Sequence, residues 1–218
     1  MTIKECYQYT TDALNNLGTN RKDNVPKHVF VRAFNAAQDI WVEERVKLLD
    51  TNRTRIDELQ SLIKSVSNSD SPLVYNNGIL SMNLPSDYYH FYRPELYAPC
   101  LITLFPKKPS EISLFRNDEN WKPSIEWAES IFTIEENKLK IYWDFDYDSV
   151  EFYYIKTPRK VNMQDGFSVD GVLNEDIDPE LTNSSVLEIL QKTIAFLSGS
   201  VQDQFNYQIN KSEDSRIL

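Results

Sequence analysis

The chain has 218 residues, 41% of them hydrophobic, and its 33 acidic and 23 basic side chains leave a formal charge of −10. That much apolar material supports a folded core and excludes wholesale disorder. The acidic balance opposes broad binding to phosphates or docking on anionic lipid.

The opening residues, MTIKECYQYTTD, lack the basic start and apolar run of a secretory leader. No apolar stretch nears the ~20 residues of a membrane span. A cytoplasm-like compartment is therefore expected, with no membrane involved. The two cysteines, Cys6 and Cys100, are far apart and match no zinc or redox spacing.

Helix spacing begins at once. Ile3, Cys6, Tyr7, Thr10, Leu14 and Leu17 predict a first helix, with Gly18 as its stop. Pro26 suits the first turn of a second helix reaching Leu49, with Val29, Ala33, Ala36 and Ile40 as one stripe and Phe30, Ala37 and Trp41 beside it. Thr54 can cap a shorter helix through Ile56, Leu59, Ile63 and Val66, and SNSDSP closes the region as a hinge or lobe boundary. The middle of the chain changes character: Tyr, Phe, Trp and Ile cluster in short runs broken by Pro, Asn and Asp. That is strand composition with turn punctuation. The predicted strands are GILSMNL, DYYHFYR, CLITLF, SIFTIEE, KLKIYWDF and VEFYYIKT, with a short helix at SEISLFRND.

A last helix follows a loop. Ser185 and Glu188 predict its capping box. Leu187, Leu190, Ile194, Leu197, Val201 and Phe205 set its apolar rhythm. Gly199, between Ser198 and Ser200, costs roughly 1 kcal/mol against Ala, which predicts a close approach by another backbone. Helices, then strands, then a helix predict an α+β fold: a helical lobe (1–72), a mostly antiparallel β-rich lobe (73–161), a loop (162–184), a helix (185–209) packing back on the helical lobe, and a mobile tail (210–218).

The stretch IYWDFDYDSVEFYYI places Asp144, Asp146 and Asp148 at alternate positions. A calcium loop starting at Asp144 needs Gly at its sixth position and Glu at its twelfth, but Ser149 and Ile155 stand there. Glycosidases use two carboxylates ~5–9.5 Å apart, yet 33 acidic residues supply such pairs by chance. The expected structure is a hairpin with an acidic tip: Leu139, Ile141, Trp143 and Phe145 face inward, DYDS turns, and VEFYYI returns as the partner strand.

His28 and His90 lie in different predicted lobes. No glycine-rich phosphate loop, dinucleotide fingerprint or nucleophile elbow occurs among only five glycines. No catalytic residue, cofactor or metal is predicted. Tyr88, Tyr89, Phe91 and Tyr92, with Tyr153 and Tyr154, suit core and subunit interface. Sugar stacking on the face turned away from the core is the alternative.

LPSDYYHFYR and DPELTNSSVLEILQKTIAFLSGSVQDQFNYQ resemble segments of structural proteins of tailed phages. More narrowly, they look like segments of the neck ring proteins of crAss-like phages, and the architecture also resembles the head-to-tail adaptor, or tail tubular protein A, of short-tailed phages. The likeness covers residues 80–208; the first 78 residues match only in being helical. It implies a non-enzymatic virion protein made in a bacterial cytoplasm, a subunit of a ring of about twelve copies. The implied partners are itself, the portal protein and adjacent neck or tail proteins. DNA would pass through the ring without specific binding. The same likeness implies a portal-docking tail anchored by Phe205, Tyr207, Ile209, Ile217 and Leu218. The alternatives are another tail or baseplate component, a carbohydrate-binding module and a glycoside hydrolase.

Overall fold

The computed structural model describes residues 1–16, 25–49, 56–118, 122–164 and 175–214. It is α+β and divides into two compact units. One joins Met1–Ser61 to Pro158–Leu218; the other is Leu62–Thr157, inserted between those halves.

The first unit is helical: α1 (Ile3–Asn16), α2 (Lys27–Leu49), α3 (Ile56–Leu59) and α5 (Asn183–Asp214). The last of these packs on α2 and α1. Helix α1 opens with a reciprocal cap, in which Glu5 N–H donates to Thr2 Oγ1 and Thr2 N–H to the Glu5 carboxylate. Its buried stripe is Ile3, Cys6 and Thr10.

Helix α2 buries Phe30, Phe34, Ala37 and Trp41, whereas Val29 and Ile40, 36% and 40% exposed, belong to the predicted stripe and face outward. The two stripes are offset by one residue, and aromatic bulk decides which of them burial selects. On α5 the inward positions are Val186, Ile189, Leu190, Thr193 and Leu197, while Leu187 is exposed.

Two expectations about α5 fail. The cap is Thr182, whose Oγ1 accepts the Ser185 N–H at 3.4 Å while its carbonyl takes the Val186 N–H. Ser185 itself is buried in the first turn, and Glu188 turns to α2 instead. At Gly199 an added Cβ would meet nothing within 4 Å, so among the described residues no backbone from elsewhere approaches there. The helix also continues to Asp214, past the predicted start of the tail at 210.

The returning chain is laced to these helices. Buried Asn35 exchanges two hydrogen bonds with the backbone of Val161, at 3.1 and 2.9 Å. Gln38 donates to the Arg159 carbonyl, and the Asp178 carboxylate accepts the Ile3 N–H at 2.7 Å.

The second unit holds β1 (Ile63–Ser67), β2 (Val74–Asn76), β3 (Ile79–Asn83), β4 (Tyr88–Tyr97), β5 (Leu101–Pro106), α4 (Ile112–Asn117), β6 (Glu129–Glu135), β7 (Lys138–Tyr142) and β8 (Ser149–Lys156). One curled sheet has the order β1-β8-β4-β5-β6-β7-β3-β2. Every pairing is antiparallel except β5 with β6. A parallel pair needs a crossover, and α4 lies in it.

Strand β1 corrects the predicted helix through Ile63 and Val66. Those residues pair with Ile155 and Phe152 of β8, so β-branched side chains follow the sheet rather than the helix started at α3. The β unit accordingly begins at Leu62, not at 73. Beyond β1, Asp70 accepts the backbone and hydroxyl hydrogens of Ser67. The SNSDSP stretch is thus a turn inside this unit rather than its border.

One buried cluster draws on Leu80, Leu96, Ile102, Phe132, Ile141 and Phe152, from β3, β4, β5, β6, β7 and β8. Ile112 of α4 covers a second, smaller cluster with Ile131 and Tyr142.

Candidate functional site

The acidic stretch does not form a hairpin. Strand β7 pairs with β6 and β3, while β8 pairs with β1 and β4. Residues 143–148 are therefore an arch between separate parts of the sheet. Alternation identifies two strands but not their partners, which is why adjacency in sequence misled. The arch is pinned at both ends: Trp143 N–H donates to the Gly78 carbonyl at 3.0 Å and Asp148 N–H to the Tyr97 carbonyl at 2.7 Å. Trp143 is buried, and its indole N–H reaches the Asp146 carbonyl at 3.4 Å. Asp144, Asp146 and Asp148 are all exposed. Only Asp144 joins a built environment.

That environment begins with a turn. Asn77 and Gly78 have φ of 49° and 74°, the left-handed pair that a two-residue hairpin between β2 and β3 requires. Asp144 lies against Gly78, where an added Cβ would collide with the Asp144 carboxylate. The Tyr75 hydroxyl donates to the same oxygen at 3.3 Å.

Across from it, α4 presents Arg116. The guanidinium sits 5.5 Å from the centre of the Tyr142 ring and donates to the Asn77 carbonyl at 3.4 Å. Together these groups border a cleft of ≈ 530 Å³, completed by Ser113, Lys122 and Phe145. The volume is in the range of ligand sites. Asp144 is the one member that the sequence marks as a candidate site residue. The Asn-Gly pair at 77–78, a strong hairpin signal, could have located the turn.

A second polar cluster lies on the core-averted face of β4 and β8. Glu95 and Glu151 stand directly opposite each other. Glu95 pairs with Arg93 at 2.8 Å and accepts the Tyr97 hydroxyl at 2.9 Å. Glu151 accepts the Tyr153 hydroxyl at 2.6 Å. Donation to these carboxylates raises the pKa of both tyrosines. Arg93 also lies over the Tyr153 ring at 5.0 Å. The like charges are thus compensated within a closed network.

The tyrosines predicted to share an interface divide. Tyr88 stacks on Phe152 at 6.0 Å and lies tilted against Tyr154 at 6.1 Å, whereas Tyr89 is exposed. Buried Tyr154 donates to Asp87 at 2.8 Å, and Lys64 binds the other oxygen at 2.8 Å. The Lys64 contact leads in holding the Asp87 carboxyl below its ordinary range. Burial, then the bond to Asp87, pushes the Tyr154 hydroxyl up.

His28 stands in α2, and His90 in β4 stacks on Phe91 at 5.1 Å. Cys6 is buried, which pushes its thiol up to about 11, and Cys100 is exposed. Among the described residues no group of three or more His, Cys, Asp or Glu could hold a metal ion. None of their helices is long and apolar enough to cross a membrane. Phe205, Tyr207 and Ile209 fall within the backbone of α5; Ile217 and Leu218 lie outside the described residues.

Compared with known proteins, the chain matches no family model and no curated protein.

Proposed function

We propose that this chain is a structural subunit of an oligomeric ring in the head-to-tail connector of a tailed phage, extending the portal channel for DNA and attaching the tail. The observation that carries this reading is the surface of the inserted β unit. Trp127 is 75% exposed, Leu114 70%, Val74 61% and Tyr75 56%, which leaves large apolar side chains of this unit available to a partner. Aromatic and aliphatic anchors of this kind suit protein interfaces.

Repeated heterologous contacts close such a ring. The acidic composition suits a channel wall, because it offers DNA few phosphate contacts. Residues 205–218 supply the portal-docking anchors Phe205, Tyr207, Ile209, Ile217 and Leu218, so deleting residues 210–218 should abolish portal binding.

The test of the whole reading is electron microscopy of the chain co-expressed with the products of neighbouring genes. A closed ring stacked on a portal or on another ring is expected. Isolated single chains beside assembled partners would overturn it.

A further inference from the structure

The cleft between α4, the Asn77-Gly78 turn and the arch has a charge imbalance. Arg116 and Lys122 border it, against the single carboxylate of Asp144. Asp144 is occupied at the lip by the Tyr75 hydroxyl and by its packing over Gly78. Among the described residues, neither Arg116 nor Lys122 forms an ion pair, although nine other lysines and arginines do. In a chain of charge −10, two cations left beside one cleft are notable.

Arg116 is also pre-set. Its plane rests near the Tyr142 ring, one N–H is held by the Asn77 carbonyl, and Tyr142 is itself fixed in the cluster with Ile112 and Ile131. A guanidinium oriented in this way presents its remaining donors as a fork suited to a carboxylate. One entering carboxylate would balance the cleft.

We propose that this cleft receives a carboxylate side chain from a second copy of the chain, and that Arg116 and Lys122 are its recognition groups. Charge complementarity favours that occupant. Each copy exposes acids in excess, so in a ring a cationic cleft meets an acidic neighbour at every contact, and rings are built from such unlike surfaces. Exposed Leu114, on the same helix as Arg116, extends the contact with apolar area. The inference rests on the ring reading and names one of its contacts.

The test uses full-length light and heavy-isotope chains, mixed and assembled with the co-expressed neighbouring proteins. A water-soluble carbodiimide then joins any lysine amine to a carboxylate it touches, with loss of water. Mass spectrometry should find Lys122 linked to an Asp or Glu in light–heavy pairs, and the link should disappear in 1 M salt. In parallel, the Arg116→Glu, Lys122→Glu double variant should keep the wild-type melting profile, since both side chains are exposed, yet self-associate at least tenfold more weakly. If Lys122 links only within its own chain, or the double variant closes rings as wild type does, the cleft inference falls while the ring stands. If wild type forms no ring beside assembled partners, both fall.

Discussion

In the helical unit, polar side chains reach far along the sequence to seal backbone and charge. Asn35 completes Val161, Gln38 caps Arg159, and Glu188 of α5 accepts the Trp41 indole N–H at 2.8 Å while pairing with Arg45. Arg45 in turn lies 2.6 Å from Glu58 and over the Trp41 ring at 5.1 Å. In the β unit, stability comes from the sheet ladder and two apolar clusters, one large and one small. Its polar side chains cluster instead in the cleft and on the outer face of β4 and β8. Among the described residues, the most exposed large apolar side chains, Trp127 and Leu114, also belong to this unit, in the crossover between β5 and β6. The difference teaches a division of labour: the described part of the helical unit spends its polar side chains on its own closure, and the β unit leaves its largest apolar side chains more exposed.

The largest test of this comparison is to empty each core separately. Trp41→Ala removes a buried ring, its hydrogen bond to Glu188 and its contact with Arg45. Phe152→Ala removes the ring at the centre of the β cluster. Each should cost about 3–5 kcal/mol in its own unit. Hydrogen exchange under mild denaturant should show Trp41→Ala loosening α2 and α5 while the strands keep their protection, and Phe152→Ala doing the reverse. Equal loosening of both units by either variant would erase the distinction.

A finer test uses one glycine from each unit. Gly78 has positive φ and Asp144 against it, so Gly78→Ala should destabilise the β unit by about 1–2 kcal/mol. Gly199 is helical with open space around it, so Gly199→Ala should stabilise α5 by up to about 1 kcal/mol. Urea midpoints that moved in the same direction for both would break the contrast.

The smallest effect is pH-dependent and is read at Asp87 and Tyr154 of the β unit. Asp87 has a depressed folded pKa. Its contribution is present above the unfolded value of about 3.9 and lost as pH falls through the folded value. Tyr154 is raised, so its contribution is present below about 10 and lost as pH rises beyond that. Asp87→Asn should cost about 1 kcal/mol near neutrality. Thermal melts from pH 2 to 7 should show a shallower acid decline in the variant than in wild type. Parallel declines would remove Asp87 from this role.

Much of the fold was legible because composition changes along the chain. The helices α1, α2 and α5 carry apolar spacing, and β3 to β8 carry aromatic and β-branched runs between turn residues. What failed depended on partners that lie elsewhere in sequence. Ile63 and Val66 fit a helix until β8 is available to pair with them. Val29 and Ile40 fit a buried stripe until the larger Phe30, Phe34 and Trp41 claim the inward face. Glu188 fits a capping box until Trp41 and Arg45 hold it. The arch at 143–148 reads as a hairpin because nothing local says that β7 joins β3 and β6. The cleft was least legible: Arg116 and Lys122 are ordinary surface cations until topology brings them to Asp144 and the Asn77-Gly78 turn.

The most direct measurement on the ring-subunit proposal is hydrogen exchange of the assembled particle against the dissociated chain, with particle mass measured alongside. The expected result is a mass of many copies, with new protection on assembly in β2, α4 and residues 122–128 of the β unit, and α2 unchanged. A mass of a single 25.5 kDa chain, or new protection confined to the helical unit, would contradict it.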